Sequence, residues 1–394
     1  MSEKIVRIAA RGDGVTESGR HVAFAVPGDI LLDDGSIERG AGHQAPPCSL
    51  FPQCGGCQLQ HLTDAAYADY CSSRVVGALA QHDLATEIRR PHLSPPRSRR
   101  RTSLRALKAA GRVVIGFNEA GSNRMVDMEE CHILHPKLFD LLAPLRLLLG
   151  EILPHKRTSE VKMTLADQGV DLLLKGVDVS GLQAIERLSA FADEHRLARL
   201  SADEGYGAEP RYEPQPVTMT LGGVAVPLPV GAFLQATADG EAALIGAVRE
   251  ATSGSRRTAD LFAGLGTFAL SLEGQILAAE AGREAVLALK SASNRAGRPI
   301  ISDHRDLYRR PLDATELAAF DAVVLDPPRA GAEEQVRQLA ASSVPRIAYV
   351  SCNPATFARD AQLLASGGYK LLWAQPVGQF RWSTHVELVA AFSR

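Results

Sequence analysis

From about residue 231 onward the chain alternates short apolar runs with stretches of helical periodicity. The runs at 258–262, 275–279, 321–325 and 346–350 are each followed by a helical segment, and a last apolar run at 386–392 follows them. Alternating βα units predict a parallel, doubly wound sheet. Ligands of such sheets sit beyond the carboxyl ends of the strands, which directs attention to residues 263–267, 280, 326–329 and 351–354. Upstream the pattern is less regular. Residues 1–40 break short apolar runs (5–10, 21–26, 30–32) with glycine turns at Gly12, Gly14, Gly19 and Gly28, predicting a small β-module. Residues 41–57 are rich in Pro, Gly and Cys with little periodicity, so something other than a core organises them. Residues 64–82 read as a helix. Residues 111–230 mix strands (112–117, 170–174, 217–226) with helices near 136–150 and 180–195, and 201–216 reads as a polar loop. The expected organisation is a β-module over 1–40, a cysteine loop over 41–62, a central α+β domain over 63–230 and an α/β domain over 231–394.

Composition narrows the class without changing that picture. Of the 394 residues, 45% are hydrophobic and 22% charged, as in an ordinary globular protein. The net charge of -2 excludes a polycation, so any nucleic-acid contact needs a local basic patch. The start of the chain lacks the roughly 7–15-residue apolar core of a secretory signal. The richest apolar stretch, 141–149, contains Pro144 and Arg146 and is far short of the roughly 20 residues that span a bilayer. The expected setting is cytoplasmic, reducing and without a membrane. Clustered cysteines in such a setting suggest metal ligands or catalysis before disulfides.

Three segments at strand exits carry candidate chemistry. In the first, Asp260 closes a strand and Gly264, Gly266 and Ala269 follow, while Glu280 closes the next strand. The glycines allow a close backbone approach, and an acid at the second strand can hold a ribose. The same spacing fits a dinucleotide loop or a tight turn without a ligand. Asp260 favours S-adenosylmethionine (SAM), which is cationic and carries no phosphate, over a pyrophosphate. In the second, Pro327 and Pro328 hold the chain extended after the strand and fix Asp326 and Arg329 at the sheet edge; a rigid exit with a salt bridge is the alternative. In the third, Ser351, Cys352, Asn353 and Pro354 put a thiol at that edge, although most single cysteines are packing residues. On the last strand His385 and Glu387 share a face. An acid in an apolar strand is costly unless paired or used, and burial would make it a proton acceptor.

Two further features lie upstream. Cys48, Cys54 and Cys57, with Gly55 and Gly56 between the last two, join the distant Cys131 in a metal-site pattern, which by spacing alone suits zinc as well as a cluster. Cys71, on the expected helix, reads as packing. Residues 89–108 hold Arg89, Arg90, Arg97, Arg99, Arg100, Arg101, Arg105 and Lys108 with no acid. They read either as phosphate contacts or as a solvated charged face. Arg99, Arg101 and Arg105, at even spacing, would share one strand face.

The segments 231–235 (GAFLQ), 260–267, 326–331, 349–360 (YVSCNPATFARD) and 385–387 together resemble the bacterial RNA 5-methyluridine (uracil-C5) methyltransferase family. The cysteine pattern resembles its iron–sulfur branch acting on 23S ribosomal RNA. The resemblance implies a C-terminal class I Rossmann-like SAM methyltransferase domain, a central α+β RNA-binding domain and a small N-terminal TRAM/OB-like β-barrel module, here shorter than in relatives. It implies Cys352 as nucleophile and Glu387 as base. It implies SAM contacts from Gln235, Phe262, Thr267, Glu280, Asp306 and Asp326, and a [4Fe-4S] cluster on Cys48, Cys54, Cys57 and Cys131. Thr267 stands where some relatives have Asn, and Asp306 where they carry Asn or Asp. The expected partner is RNA, 23S rRNA first and most like the uridine-1939 subfamily, with uridine-747-type or tRNA enzymes as alternatives, and the expected state is a monomer. A NAD-dependent iron–sulfur oxidoreductase would leave Cys352 and Glu387 unexplained. A non-catalytic protein on a decayed methyltransferase fold would have lost one of them.

Overall fold

In the C-terminal half the apolar runs are covered on both faces, the condition under which parallel strands form. All four residues of Ala322–Leu325 are buried, as are five of the six in Arg346–Ser351. The computed structural model of the protein describes residues 2–179 and 181–394. It orders the main sheet as Ile300–His304, Gln275–Glu280, Arg257–Leu261, Ala322–Leu325 and Arg346–Ser351, all parallel, followed by Glu387–Ser393, antiparallel to both its neighbours, and then Lys370–Gly378. The chain works outward from Arg257–Leu261 to one side, then crosses to Ala322–Leu325 on the other. The exits of these two neighbours form the switch point of the sheet, where a ligand crevice opens. Asp260 and Asp326 lie there.

Local chemistry accounts for the departures from the sequence pattern. No helix follows Leu261. Phe262, Gly264 and Gly266 all take positive φ (64°, 54° and 90°), and the chain winds through turns until Ser271. At Gly266 a Cβ would come within 2.5 Å of Leu289, so this turn seats the loop on the helix Arg283–Arg295. The strand expected over 217–226 is a hairpin, Thr218–Leu221 and Val224–Pro227, reversed at Gly222 and Gly223, both of positive φ. The expected loop over 201–216 contains most of another hairpin, Arg199–Asp203 with Ala208–Tyr212.

Two upstream sheets flank this body. The central one has six strands, ordered Ala208–Tyr212, Arg199–Asp203, Gly169–Lys175, Thr158–Ala166, Arg101–Ala109 and Arg112–Gly116. The N-terminal one has five short strands around Glu3–Ile8, with His21–Val22 and Ile37–Glu38 as its edges. Residues 64–93 pack with the C-terminal sheet instead of the central one. The helix Asp64–Ala80, capped by Thr63, lies against Pro354–Ser366, and the short strands Glu87–Ile88 and His92–Leu93 pair with the edge strand Lys370–Gly378. Among the described residues, no helix is long and apolar enough to cross a membrane.

Neighbouring strands of the central sheet share a buried ion pair, and its arginine also reaches the segment entering the C-terminal body. Arg199 donates to Asp171 at 2.9 and 2.7 Å and to the Leu228 carbonyl at 3.0 Å, both side chains being about 5% exposed. Removing one partner strands a buried charge. Asp171→Ala should therefore lower the unfolding free energy by about 3 kcal/mol in a denaturant melt. The double replacement Asp171→Leu with Arg199→Met should lose far less.

Candidate active site

The glycine loop is drawn in by the acids around it. Asp260 is fully buried and accepts the Ala269 N–H at 2.8 Å, but its second oxygen has no partner. Glu280, at the next strand exit, accepts the Gly264 N–H at 3.0 Å and the Gly282 N–H at 2.6 Å. Burial pushes Asp260 up to about 8, and the nearby Asp326 and Glu280 add to the rise. Asp326 is only partly covered, yet the surrounding protein pushes its carboxyl up to about 7. It accepts a hydrogen bond from Gln235 Nε2 at 3.3 Å. Phe262 meets the Tyr308 ring at 5.5 Å, which ties the first strand exit to the loop of Asp306. Asp306 accepts the Tyr308 N–H at 3.0 Å. Thr267 lies partly buried within the turns, its carbonyl accepting from Ser271. Acids crowded together without a cation suit a cationic ligand and repel a pyrophosphate.

Cys352 sits between a strand end and a helix start. Ser351 ends the strand, Asn353 caps the helix Pro354–Ser366 by accepting the Ala355 N–H, and Pro354 fills the first turn. Asn353 Nδ2 and the Thr356 hydroxyl each donate to the Arg329 carbonyl at 3.2 Å, binding this motif to the exit that carries Asp326. Burial raises the Cys352 thiol, Glu387 and Asp326 raise it further, and Arg329 opposes them. Glu387 is 3% exposed, its Oε2 has no hydrogen-bond partner, and burial beside Asp326 pushes it up to about 8. The structure thus brings together Cys352, Glu387, Asp326 and Gln235, with Asp260 and Glu280 alongside. Phe262, Thr267 and Asp306 stand on the adjoining loops.

Two residues outside the expected site set help to hold this arrangement. Gln379, buried, donates to Gln235 Oε1 at 2.8 Å and accepts the Ala236 N–H at 2.7 Å, fixing the amide that faces Asp326. Asp360, also buried, accepts from the Tyr349 hydroxyl and from the Ala332 N–H, fastening the 330–332 turn to the helix behind Cys352. Gln379 could not be found by spacing, because its partners are distant in sequence, whereas Asp360 closes the 349–360 segment that opens with its partner Tyr349.

In the basic run 89–108, Arg90, Arg97 and Arg105 are exposed, Arg89, Arg99, Arg101 and Lys108 are partly covered, and Arg100 is buried. Arg100 forms a buried pair with Glu241 and donates to the Gln235 carbonyl at 3.1 Å. Arg89 pairs with Glu250 at 2.7 Å and lies 3.8 Å over Trp373. Arg101 stacks 4.4 Å over Phe233; burial pushes it down to about 10, and Glu387 works against that fall. Arg101 and Arg105 do share a strand face. Arg105 lines an open cleft of about 750 Å³, together with Arg11, Arg74, Phe117, Arg329 and His385. The N-terminal module, the cysteine loop and the C-terminal body all reach this cleft.

Cys48, Cys54, Cys57 and Cys131 line one cavity, shared with Phe51 and Arg99. Burial raises the thiols of Cys54, Cys57 and Cys131, and each of the three is raised further by other members of the set. Among the described residues, no group of three or more His, Cys, Asp or Glu side chains is placed to hold a metal ion. Cys71 is fully buried in the core, as a packing residue should be.

The family described as tRNA (Uracil-5-)-methyltransferase matches residues 299–393. The chain is 49% identical, over 395 residues and all of both chains, to an uncharacterized RNA methyltransferase of Zymomonas mobilis. It is 32% identical to the 23S rRNA (uracil(1939)-C(5))-methyltransferase RlmD of Chromohalobacter salexigens, covering 89% of this chain and 76% of that one. The crystal structure of the Pyrococcus abyssi tRNA (uracil-54, C5)-methyltransferase in complex with S-adenosyl-L-homocysteine is similar in fold. Its TM-score is 0.75 over 100% of both chains, at 21% identity.

The three raised carboxyls have a consequence for stability. Folded Asp260, Asp326 and Glu387 keep protons, up to about 8, 7 and 8, that the unfolded chain releases near 3.8 to 4.5. The native state therefore binds more protons than the unfolded one, and stability falls as pH rises through this window. His61, pushed down to about 4, has the opposite slope but is spent above about pH 6.5. The melting temperature of the ligand-free protein should fall between about pH 6.5 and 8, and Glu387→Gln should make the fall shallower. A curve that is flat or rising there would exclude the raised carboxyls.

Proposed function

Because the chain belongs to the SAM-dependent RNA uracil-5-methyltransferase family, we propose that it methylates C5 of a uridine through a covalent Cys352 adduct, with Glu387 as the base. The observation that carries this reading is Glu387: a buried carboxyl with a free oxygen, raised to about 8, acting on the thiol of Cys352. A group tuned near neutrality is suited to taking a proton from carbon.

C5 of uracil is a weak nucleophile. The Cys352 thiolate adds to C6, and the ring becomes an enolate rich in electrons at C5. SAM supplies the methyl group as an electrophile. After C5 is methylated, Glu387 takes the remaining C5 proton, the C6–S bond breaks, and Cys352 leaves as thiolate. Burial raises the Cys352 thiol above its ordinary value, and the acids Glu387 and Asp326 add to the rise. A cation seated against Asp326 and Asp260 would offset them, coupling thiolate formation to cofactor binding. Gln235, Phe262, Thr267, Glu280, Asp306 and Asp326 surround the place where it would lie. The orphaned Asp260 oxygen supports that fit.

A stacked base cannot reach Cys352, so the uridine must be flipped or single-stranded. Phe233, 63% exposed and backed by Arg101, offers a face for an unstacked base beside Glu387. The arginine-lined cleft suits the flanking phosphates. The 23S rRNA assignment, of the uridine-1939 type, rests on the RlmD relative. The N-terminal sheet would act as the TRAM-like RNA-binding module, and the enzyme as a cytoplasmic monomer.

The cysteine cavity we assign to a [4Fe-4S] cluster. A single zinc draws its sulfurs to within about 4 Å of one another, whereas a multi-iron cluster spreads them. What supports the assignment is that the four thiols line one cavity. Such a cluster would leave no iron free for substrate, so its role is structural.

The reaction is tested with labelled SAM and 23S rRNA fragments containing 5-fluorouridine. Fluorine at C5 blocks the step given to Glu387, so a denaturation-stable protein–RNA adduct should form and should vanish in Cys352→Ala. Glu387→Gln should lower turnover at least about 100-fold and accumulate adduct on ordinary RNA. Absence of any adduct while SAM still binds would overturn the mechanism.

A further inference from the structure

Residues 379–386 join the antiparallel neighbours Lys370–Gly378 and Glu387–Ser393. A connection of this length does not set the register of its strands by turn geometry alone. Its inner bonding is sparse. The Ser383 N–H donates to the Phe380 carbonyl at 2.9 Å, and the His385 N–H donates to the Ser383 hydroxyl at 3.2 Å. Trp382, at its middle, is buried with a φ of 58°. A bulky residue keeps that left-handed conformation only where its surroundings impose it.

The surroundings that impose it come from far earlier in the chain. The helix Asp64–Ala80 aims two buried hydroxyls at the connection: Tyr67 donates to the Phe380 carbonyl at 3.1 Å, and Tyr70 donates to the Thr384 carbonyl at 3.3 Å. Asp64, in the first turn of that helix, pairs with Arg381, which also donates to the Ser94 carbonyl at 3.1 Å. From the cysteine loop, the Gln58 and Leu59 N–H groups both donate to the Trp382 carbonyl, at 2.8 and 2.9 Å. Gln58 Oε1 accepts the Thr384 N–H at 3.4 Å.

Both ends of the connection carry the site. Gln379, at one end, holds Gln235. Glu387, at the other, opens its strand opposite Val377. Glu387 Oε2 has no hydrogen-bond partner, so no bond aims that oxygen, and its place follows from where the strand begins. Cys352 hangs instead from the strand Arg346–Ser351 and the helix Pro354–Ser366, neither of which this connection joins. We propose that Tyr67 and Tyr70 are positioning residues for the base: by holding the Phe380 and Thr384 carbonyls they set where Glu387 stands, and so govern removal of the C5 proton without governing formation of the adduct. The proposal rests on the role given to Glu387. In the step concerned the C5–H bond breaks and its proton goes to Glu387. The electron pair re-forms the C5–C6 double bond, and the C6–S bond releases Cys352 as thiolate.

The test uses the full chain as wild type, as Tyr70→Phe, and as the double variant Tyr67→Phe with Tyr70→Phe. Phenylalanine keeps the packed rings and removes only the hydroxyls. With labelled SAM and a 23S rRNA fragment carrying 5-fluorouridine, the reaction stops before the step given to Glu387. Each variant should therefore form adduct at a rate within about twofold of wild type. On ordinary RNA the double variant should lose about tenfold or more in kcat and accumulate the methylated adduct. Deuterium at C5 of the target should slow it more than it slows wild type. Tyr70→Phe should show the same pattern more weakly, and it decides the question if the double variant does not fold. Full turnover in the folded variants would overturn the proposal. So would a loss of turnover matched by an equal loss of adduct formation, which marks general damage to the fold. A wild type that forms no adduct would instead overturn the underlying mechanism, separately from the role of the tyrosines.

Discussion

The structure is organised around acids held close together, with Arg101 beside Glu387 as a cationic neighbour. Asp260 and Glu387 are buried and Asp326 partly so, each above its ordinary range, and the first two keep an oxygen without a partner. An enclosed carboxyl of this kind is tolerated only where a ligand or a reaction uses it. The scaffold is built to bear that cost. Continuous apolar strands enclose the acids, turns of positive φ lay the glycine loop against the helix behind it, and Gln379 and Asp360 secure the neighbouring segments. The site is thereby suited to receive positive charge.

Much of this was legible in the sequence because it is local. A strand exit is written in a few consecutive residues, so Asp260, Glu280, Asp326 and Cys352 could be placed on one sheet edge from the βα rhythm alone. Cys352 followed by Asn353 and Pro354 reads as a strand end, a cap and a first helical turn, and that is how it folds. Glu387 was visible as an acid in an apolar strand. The turn after Leu261 was not, because the positive φ of Phe262 has no residue signature. The hairpin at Gly222 and Gly223 was hidden by apolar residues that run on both sides of it.

The basic run shows the opposite case. Eight cations without an acid suggested a surface for phosphates or for water. Three of them have partners far away in sequence: Glu250 for Arg89, Glu241 for Arg100, Phe233 and Glu387 for Arg101. Composition along a segment records which charges are present, and only the fold records which of them are already answered. Arg105 remains for the cleft, where Arg11 and Arg74 join it from elements that no sequence window connects.

The outer edge of the C-terminal sheet is closed by Glu87–Ile88 and His92–Leu93, which are made long before the strand they cover. The central sheet is therefore an insertion within the α/β body, not a neighbour in front of it. A fragment cut at residue 231 would present Lys370–Gly378 as a bare edge, open to pairing with other chains. During synthesis the early strands must wait, unpaired, until the late ones emerge. Such long-range closure is slow, so this edge of the α/β body is closed only after Lys370–Gly378 has been made.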